Sequence, residues 1–147
     1  MRILIDADAC PVVNIAVSLC QRYHVPCLLL CDTAHQIYRE GAETKVFDKG
    51  ADSVDFALVN LVCPGDVVVT QDYGLASMCL ARKAQVLHQD GWVYSEWNIS
   101  GLLEQRHAAR KARAAGGRTK GPSKRTVAQD KAFQDALEAI LQQFVHG

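Results

Sequence analysis

Asp6 and Asp8 close the apolar run RILID, and Asp72 follows DVVVT with only Gln71 between them. Asp52 and Asp55 open a third stretch, ahead of the apolar FALVNLV. Carboxylates held close together repel one another unless protons or a cation intervene. A donor set made only of carboxylate oxygens favours Mg²⁺ or Mn²⁺ over zinc. Such ions activate water and stabilise the leaving oxygen in phosphodiester cleavage. Asp6, Asp8 and Asp72 are therefore the candidate metal ligands. Asp55 is the better inward candidate of its pair, because it lies deeper in its helix. Each residue also has an ordinary use, since Asp is a common N-cap and both Asp8 and Asp72 precede helical stretches. Cys10 stands before a helix, which lowers a thiol pKa. The neighbouring Asp6 and Asp8 raise it instead, so Cys10 is not expected to be a nucleophile.

The elements that must position these residues follow from periodicity. RILID, residues 2–6, reads as a buried strand. Pro11 suits a first helical turn, and Val13, Val17 and Cys20 share one face of a helix reaching about Tyr23. Pro26 ends that pattern, and CLLLC reads as a second strand. The segment Thr33–Gly41 is polar and ambiguous. A short strand near Lys45-Val46-Phe47 precedes a helix that Pro64-Gly65 terminates. Asp66–Thr70 is the clearest strand; it leads into the helical LASMCLARK and a further strand at Ala84–His88. The alternation predicts an α/β fold of three layers, α/β/α, with a mainly parallel sheet and a C-terminal helical extension. In such sheets ligands bind beyond the carboxyl ends of the strands. Adjacent strands would bring Asp6, Asp8 and Asp72 to one edge.

The 147 residues fit a single domain, residues 1–147, with a basic helix-loop-helix region from about 98 onward. No apolar run is long enough to span a bilayer, and the N-terminus shows no secretory signal, so no membrane partner and a cytoplasmic location are expected. The six cysteines lack C-x-x-C spacing and sit mostly in apolar stretches, which predicts free thiols. Zinc at Cys27, Cys31 and His35 would need helical spacing where a strand is expected. The net charge of zero hides an asymmetry: residues 1–103 carry 12 acidic groups against 7 Lys and Arg, whereas 104–125 carry 8 basic groups against Glu104 alone. The helix expected from Asn98 to about Ala115 and the loop 116–125 hold this charge. Arg118, Lys120, Lys124 and Arg125 on flexible backbone suit phosphate contact with nucleic acid, although charge runs are often only solvated. Trp92, Tyr94 and Trp97 could stack on bases, or serve as core, the commoner use of aromatic rings.

DADACPV from Asp6 to Val12, VVTQDYGLA from Val68 to Ala76, and a C-terminal block with Gly121-Pro122 and Asp130-Lys131-Ala132-Phe133 resemble the signature blocks of the uncharacterised YaiI/YqxD family. The likeness runs over nearly the whole chain. More widely, the pattern is similar to PIN and NYN nucleases, which implies a PIN-like fold. That resemblance implies catalytic roles for Asp6, Asp55 and Asp72, with the Thr70 hydroxyl supporting them, Mg²⁺ or Mn²⁺ as cofactor and RNA as partner. The last acidic position of that pattern has only Asp90 as candidate, and its equivalence is unclear.

The leading expectation is a divalent-metal-dependent nuclease or phosphodiesterase acting on RNA or other nucleic acid. Asp6-Ala7-Asp8 after the first strand also resembles the nucleophile motif of haloacid-dehalogenase-type phosphotransferases. That chemistry needs a helix-borne Lys and a later acidic pair, for which Asp72 alone is a poor substitute. A non-catalytic RNA-binding module with the same fold is the third possibility.

Overall fold

A computed structural model describes residues 1–50, 53–102, 104–105 and 124–146. Strand β1 (Ile3–Asp6) is followed by helix α1 (Val13–Tyr23), β2 (Cys27–Asp32) and β3 (Glu43–Phe47). Helix α2 (Ser53–Leu61), β4 (Val67–Val69), α3 (Tyr73–Ala81) and β5 (Gln85–Leu87) complete the sheet. A helix α4 covers 96–102 and 104–105, and α5 spans Val127–His146. Among the described residues, no helix is long and apolar enough to cross a membrane.

The sheet is parallel throughout, in the order β3-β2-β1-β4-β5. It is doubly wound. The chain moves from β1 out through β2 to β3, then returns past β1 to lay down β4 and β5 on the other side. The direction reverses between β1 and β4, the place where open α/β sheets leave a crevice at their carboxyl edge.

Side chains alternate across each strand and feed two cores. Ile3 and Ile5 of β1, Leu29 of β2 and Val67 and Val69 of β4 pack with α1 and α5. Leu4, Leu28, Leu30, Val68 and Val86 face the other way, onto Leu58 of α2, Leu75 and Cys79 of α3, Tyr94 and Ile99. These three buried layers are the α/β/α arrangement expected from the alternation of elements. β3 begins at Glu43, two residues before the expected Lys45. The helix expected from Asn98 already begins at 96. Its continuation to Ala115, with Arg118 and Lys120, lies outside the described residues.

Two features hold the layers in register. The buried Asp66 accepts hydrogen bonds from the Arg2 amide at 3.1 Å, the Arg2 guanidinium at 2.9 Å and the Cys63 amide at 2.9 Å. This ties the amino ends of β1 and β4 to the end of α2. At the other edge Arg125 donates to Asp90 (2.7 Å), Asp130 (2.6 Å) and the Gln89 carbonyl (2.6 Å), docking the start of α5 onto the turn after β5. Gly91 in that turn has φ +94°, and a Cβ there would lie 2.5 Å from the Ala132 backbone.

Candidate functional site

β1 and β4 end side by side at the switch point, with Ile5 opposite Val69. The next residues, Asp6 and Thr70, are consequently neighbours. The Thr70 hydroxyl donates to Asp6 Oδ2 at 3.0 Å, and its oxygen accepts the Asp72 amide at 3.0 Å. Tyr94 Oη donates to the Thr70 carbonyl at 3.2 Å from the core side. Asp72 Oδ1 accepts the amides of Gly74 at 2.8 Å and Leu75 at 3.2 Å, so it is the N-cap of α3. Capping and a place in the site coincide in this residue. Asp8 differs: α1 has Val12 at its N-cap position and no side-chain cap.

A pocket of about 270 Å³ opens over this edge, lined by Asp6, Asp8, Asp32, Asp55 and Asp72 together with Ala9, Gly50, Ser53, Val54 and Gln71. Five of these ten residues are carboxylates, and none is Lys or Arg. Burial pushes the Asp6 carboxyl up to about 6; the Thr70 hydroxyl opposes the rise, and the charges of Asp55, Asp72 and Asp8 add to it. An acid held this way in a carboxylate-lined pocket releases its proton more readily when a cation arrives.

Asp6, Asp8, Asp55 and Asp72 thus line one pocket, with Thr70 beneath Asp6. They do not form a ready-made cage. Among the described residues, the group of three metal-ligating side chains with donor atoms all within 4.8 Å of one another is Asp8, Asp32 and His35. Asp32 Oδ1 accepts the amides of Ala34 and His35 at 2.9 and 2.8 Å and lies 3.0 Å from His35 Nδ1. Asp8 Oδ1 stands 3.6 Å from the same nitrogen. The expected strand CLLLC ends at Cys31, whereas β2 runs on to Asp32, and His35 lies beside that residue and not beside Cys27 and Cys31. The missed signal was Asp32, a third carboxylate at the carboxyl end of an apolar strand. Cys27 and Cys31 instead turn into the core.

The remaining candidates scatter. Of the basic segment, Lys124 is exposed and Arg125 makes the three bonds to Asp90, Asp130 and Gln89; Arg118 and Lys120 lie outside the described residues. Asp90, the candidate for a last acidic position, pairs with Arg125 and does not line the pocket. Tyr94 is core, Trp92 stacks on His88 at 4.3 Å, and Trp97 is 90% exposed. Cys10 is half-buried, and burial, more than its acidic neighbours, pushes its thiol up to about 11. All six cysteines are free thiols, Cys63 being the exposed one.

The family described as "Uncharacterized BCR, YaiI/YqxD family" matches residues 4–143, and the chain belongs to it. A UPF0178 protein of Exiguobacterium sibiricum is 52% identical over 141 residues, 96% of each chain. A UPF0178 protein of Clostridium acetobutylicum is 47% identical over 143 residues, 96% of this chain and 97% of the relative. One of Ruminiclostridium cellulolyticum is 48% identical over 138 residues, covering 93% and 90%. No solved structure matches the chain.

Proposed function

We propose that this chain is a divalent-metal-dependent hydrolase of phosphodiester bonds, a nuclease acting on RNA or another nucleic acid. The observation that carries the reading is the pocket at the β1–β4 switch point, where five carboxylates line one cavity and none of the described lining residues is cationic. That donor set fits Mg²⁺ or Mn²⁺, and Mg²⁺ is commonly held by only one or two carboxylates while it keeps several waters. Side chains not already drawn together around one point suit such an ion.

In this reading Asp6 and Asp72 are the direct ligands, Asp8 closes the coordination from the side, and Asp55 faces them from α2. The ion would supply an activated water and charge stabilisation at phosphorus. Thr70 orients Asp6 by its hydroxyl and fixes Asp72 through its amide. Among the described residues no Lys lines the pocket, which is unfavourable to the phosphotransferase alternative. The excess of positive charge in residues 104–125 supports a polyanionic substrate, with Arg118, Lys120 and Lys124 as the phosphate contacts. Arg125 would contribute while holding α5.

Thermal melts of the parent and Asp72→Asn, each with and without Mn²⁺, test the ion. The parent melting temperature should rise with Mn²⁺. Asp72→Asn keeps the cap and should lose both that rise and any cleavage of single-stranded RNA. A parent that ignores Mn²⁺ would leave Asp72 a cap and nothing more. Replacing Arg118, Lys120 and Lys124 by Ala should flatten the salt dependence of RNA binding by about 0.7 per lost contact.

A further inference from the structure

The geometry points to a transition-metal site in this molecule, formed by Asp8, Asp32 and His35 on the β2 side of the pocket. It takes an imidazole-preferring divalent ion such as Zn²⁺ or Co²⁺ in preference to Mg²⁺ or Mn²⁺.

The sheet builds the arrangement. Asp6 pairs with Leu30 in the β1–β2 register, and Asp8 and Asp32 each stand two residues further along their chains. His35 comes from the turn after β2, which the amides of Ala34 and His35 close onto Asp32 Oδ1. Two pieces of chain, the segment after β1 and the end of β2 with its turn, thus bring two carboxylates and an imidazole together.

The donors lie close enough together to share one ion, although the 3.0 Å separation between His35 Nδ1 and Asp32 Oδ1 is that of a hydrogen bond. Ligands about 2.1 Å from a shared ion lie about 3.0 Å apart along an octahedral edge and about 3.4 Å apart along a tetrahedral one. His35 Nδ1 lies 3.0 Å from Asp32 Oδ1 and 3.6 Å from Asp8 Oδ1, and all three donors fall within 4.8 Å of one another. Small shifts would seat an ion. The imidazole decides its class: nitrogen suits zinc, cobalt, nickel and iron, whereas Mg²⁺ prefers oxygen throughout. The three side chains are partly exposed, so an ion can enter from solvent.

Occupancy here requires no nucleic-acid substrate, and the site goes beyond the hydrolytic reading. It shares Asp8 with that proposal, which places the two ions on opposite sides of one carboxylate.

The test uses the full chain carrying Cys63→Ser, because the exposed Cys63 thiol would compete for zinc. Zn²⁺ is titrated in excess Mg²⁺ by calorimetry, while ¹⁵N spectra follow the five imidazoles. One equivalent should bind, moving the His35 resonances alone. His35→Ala should abolish binding. Asp32→Asn keeps an acceptor for the turn amides and should weaken zinc by more than about tenfold. Asp72→Asn should bind zinc as the parent does, even where it has lost the Mn²⁺ response, which separates failure of one site from failure of the other. Zinc binding that survives His35→Ala, or an unmoved His35 imidazole at saturating zinc, would overturn the proposal and leave His35 a hydrogen-bonded surface residue.

Discussion

Thr70 Oγ1 lies 3.0 Å from Asp6 Oδ2 and donates a hydrogen bond to it, so a partly buried acid at the carboxyl end of β1 depends on a hydroxyl at the carboxyl end of β4. That bond favours the carboxylate, yet burial outweighs it and leaves Asp6 at about 6.

The metal-free protein should therefore weaken with rising pH through Asp6. Below about pH 4 both folded and unfolded chains hold the proton. Between there and about 6 the unfolded chain releases it first, so stability falls, and above 6 the loss is complete. The full effect is about 3 kcal/mol as an upper bound. Asp6→Asn removes the charge, and its advantage over the parent in urea should widen from pH 4.5 to pH 8. Parallel behaviour at both pH values would contradict the raised acid.

Thr70→Val keeps the volume but removes the donor to Asp6 and the acceptor for the Asp72 amide. We expect a loss of about 1–3 kcal/mol at pH 8 and a weaker Mn²⁺ response. Thr70→Ser retains both bonds and should restore both properties. A Ser variant no better than Val would assign the role of Thr70 to its methyl group.

At the opposite end of these strands, burial disfavours the Asp66 charge. Hydrogen bonds from the Arg2 side chain and the Cys63 and Arg2 amides prevail and hold it below the ordinary carboxylate value of 3.8. Its contribution is present above that value and is lost as pH falls through the lower folded one. Asp66→Asn should cost about 2 kcal/mol or more near neutrality, and the deficit should shrink in acid. Equal urea midpoints at pH 7 would show the cluster to be dispensable.

Gly91 and Gly65 provide a matched pair, with φ of +94° and +87°. Among the described residues nothing lies within 4 Å of a Cβ at Gly65, whereas one at Gly91 meets the Ala132 backbone at 2.5 Å. Gly65→Ala should carry only the backbone strain, of order 1 kcal/mol. Gly91→Ala should cost more and should speed amide exchange in α5. Similar costs for the two would mean that α5 yields without resistance.

The centre of the sheet was legible because β1, β2 and β4 are short and largely buried, so each appears as an apolar run between breakers, whereas the edge strand β3, ETKVF, is mixed and partly exposed. Asp6, Asp8, Asp55 and Asp72 could be chosen because they adjoin those runs or the helices that follow. Asp32 could not be separated from loop polarity until the β1–β2 register set it beside Asp8. Thr70 was visible as a supporting hydroxyl only through resemblance, since no spacing reveals which strand end its side chain will touch. The aromatic group shows the same limit. Tyr94 is buried and Trp97 is 90% exposed, although the two lie three residues apart.

The doubly wound order also divides the pocket between two stretches of chain that meet late. Asp6, Asp8, Asp32 and His35 all belong to the β1-α1-β2 unit and its following turn, whose strands join by a local crossover. Asp55, Thr70 and Asp72 arrive with β4, and closing Ile3 onto Val67 spans more than twice the chain needed to reach Cys27. Each doubling of a loop adds only about 0.6 kcal/mol of entropy. This second docking, however, also drives two sets of negative charge together. The second unit therefore closes onto the first against the repulsion of the carboxylates already gathered there. On the metal-dependent reading proposed above, a divalent cation would screen that approach.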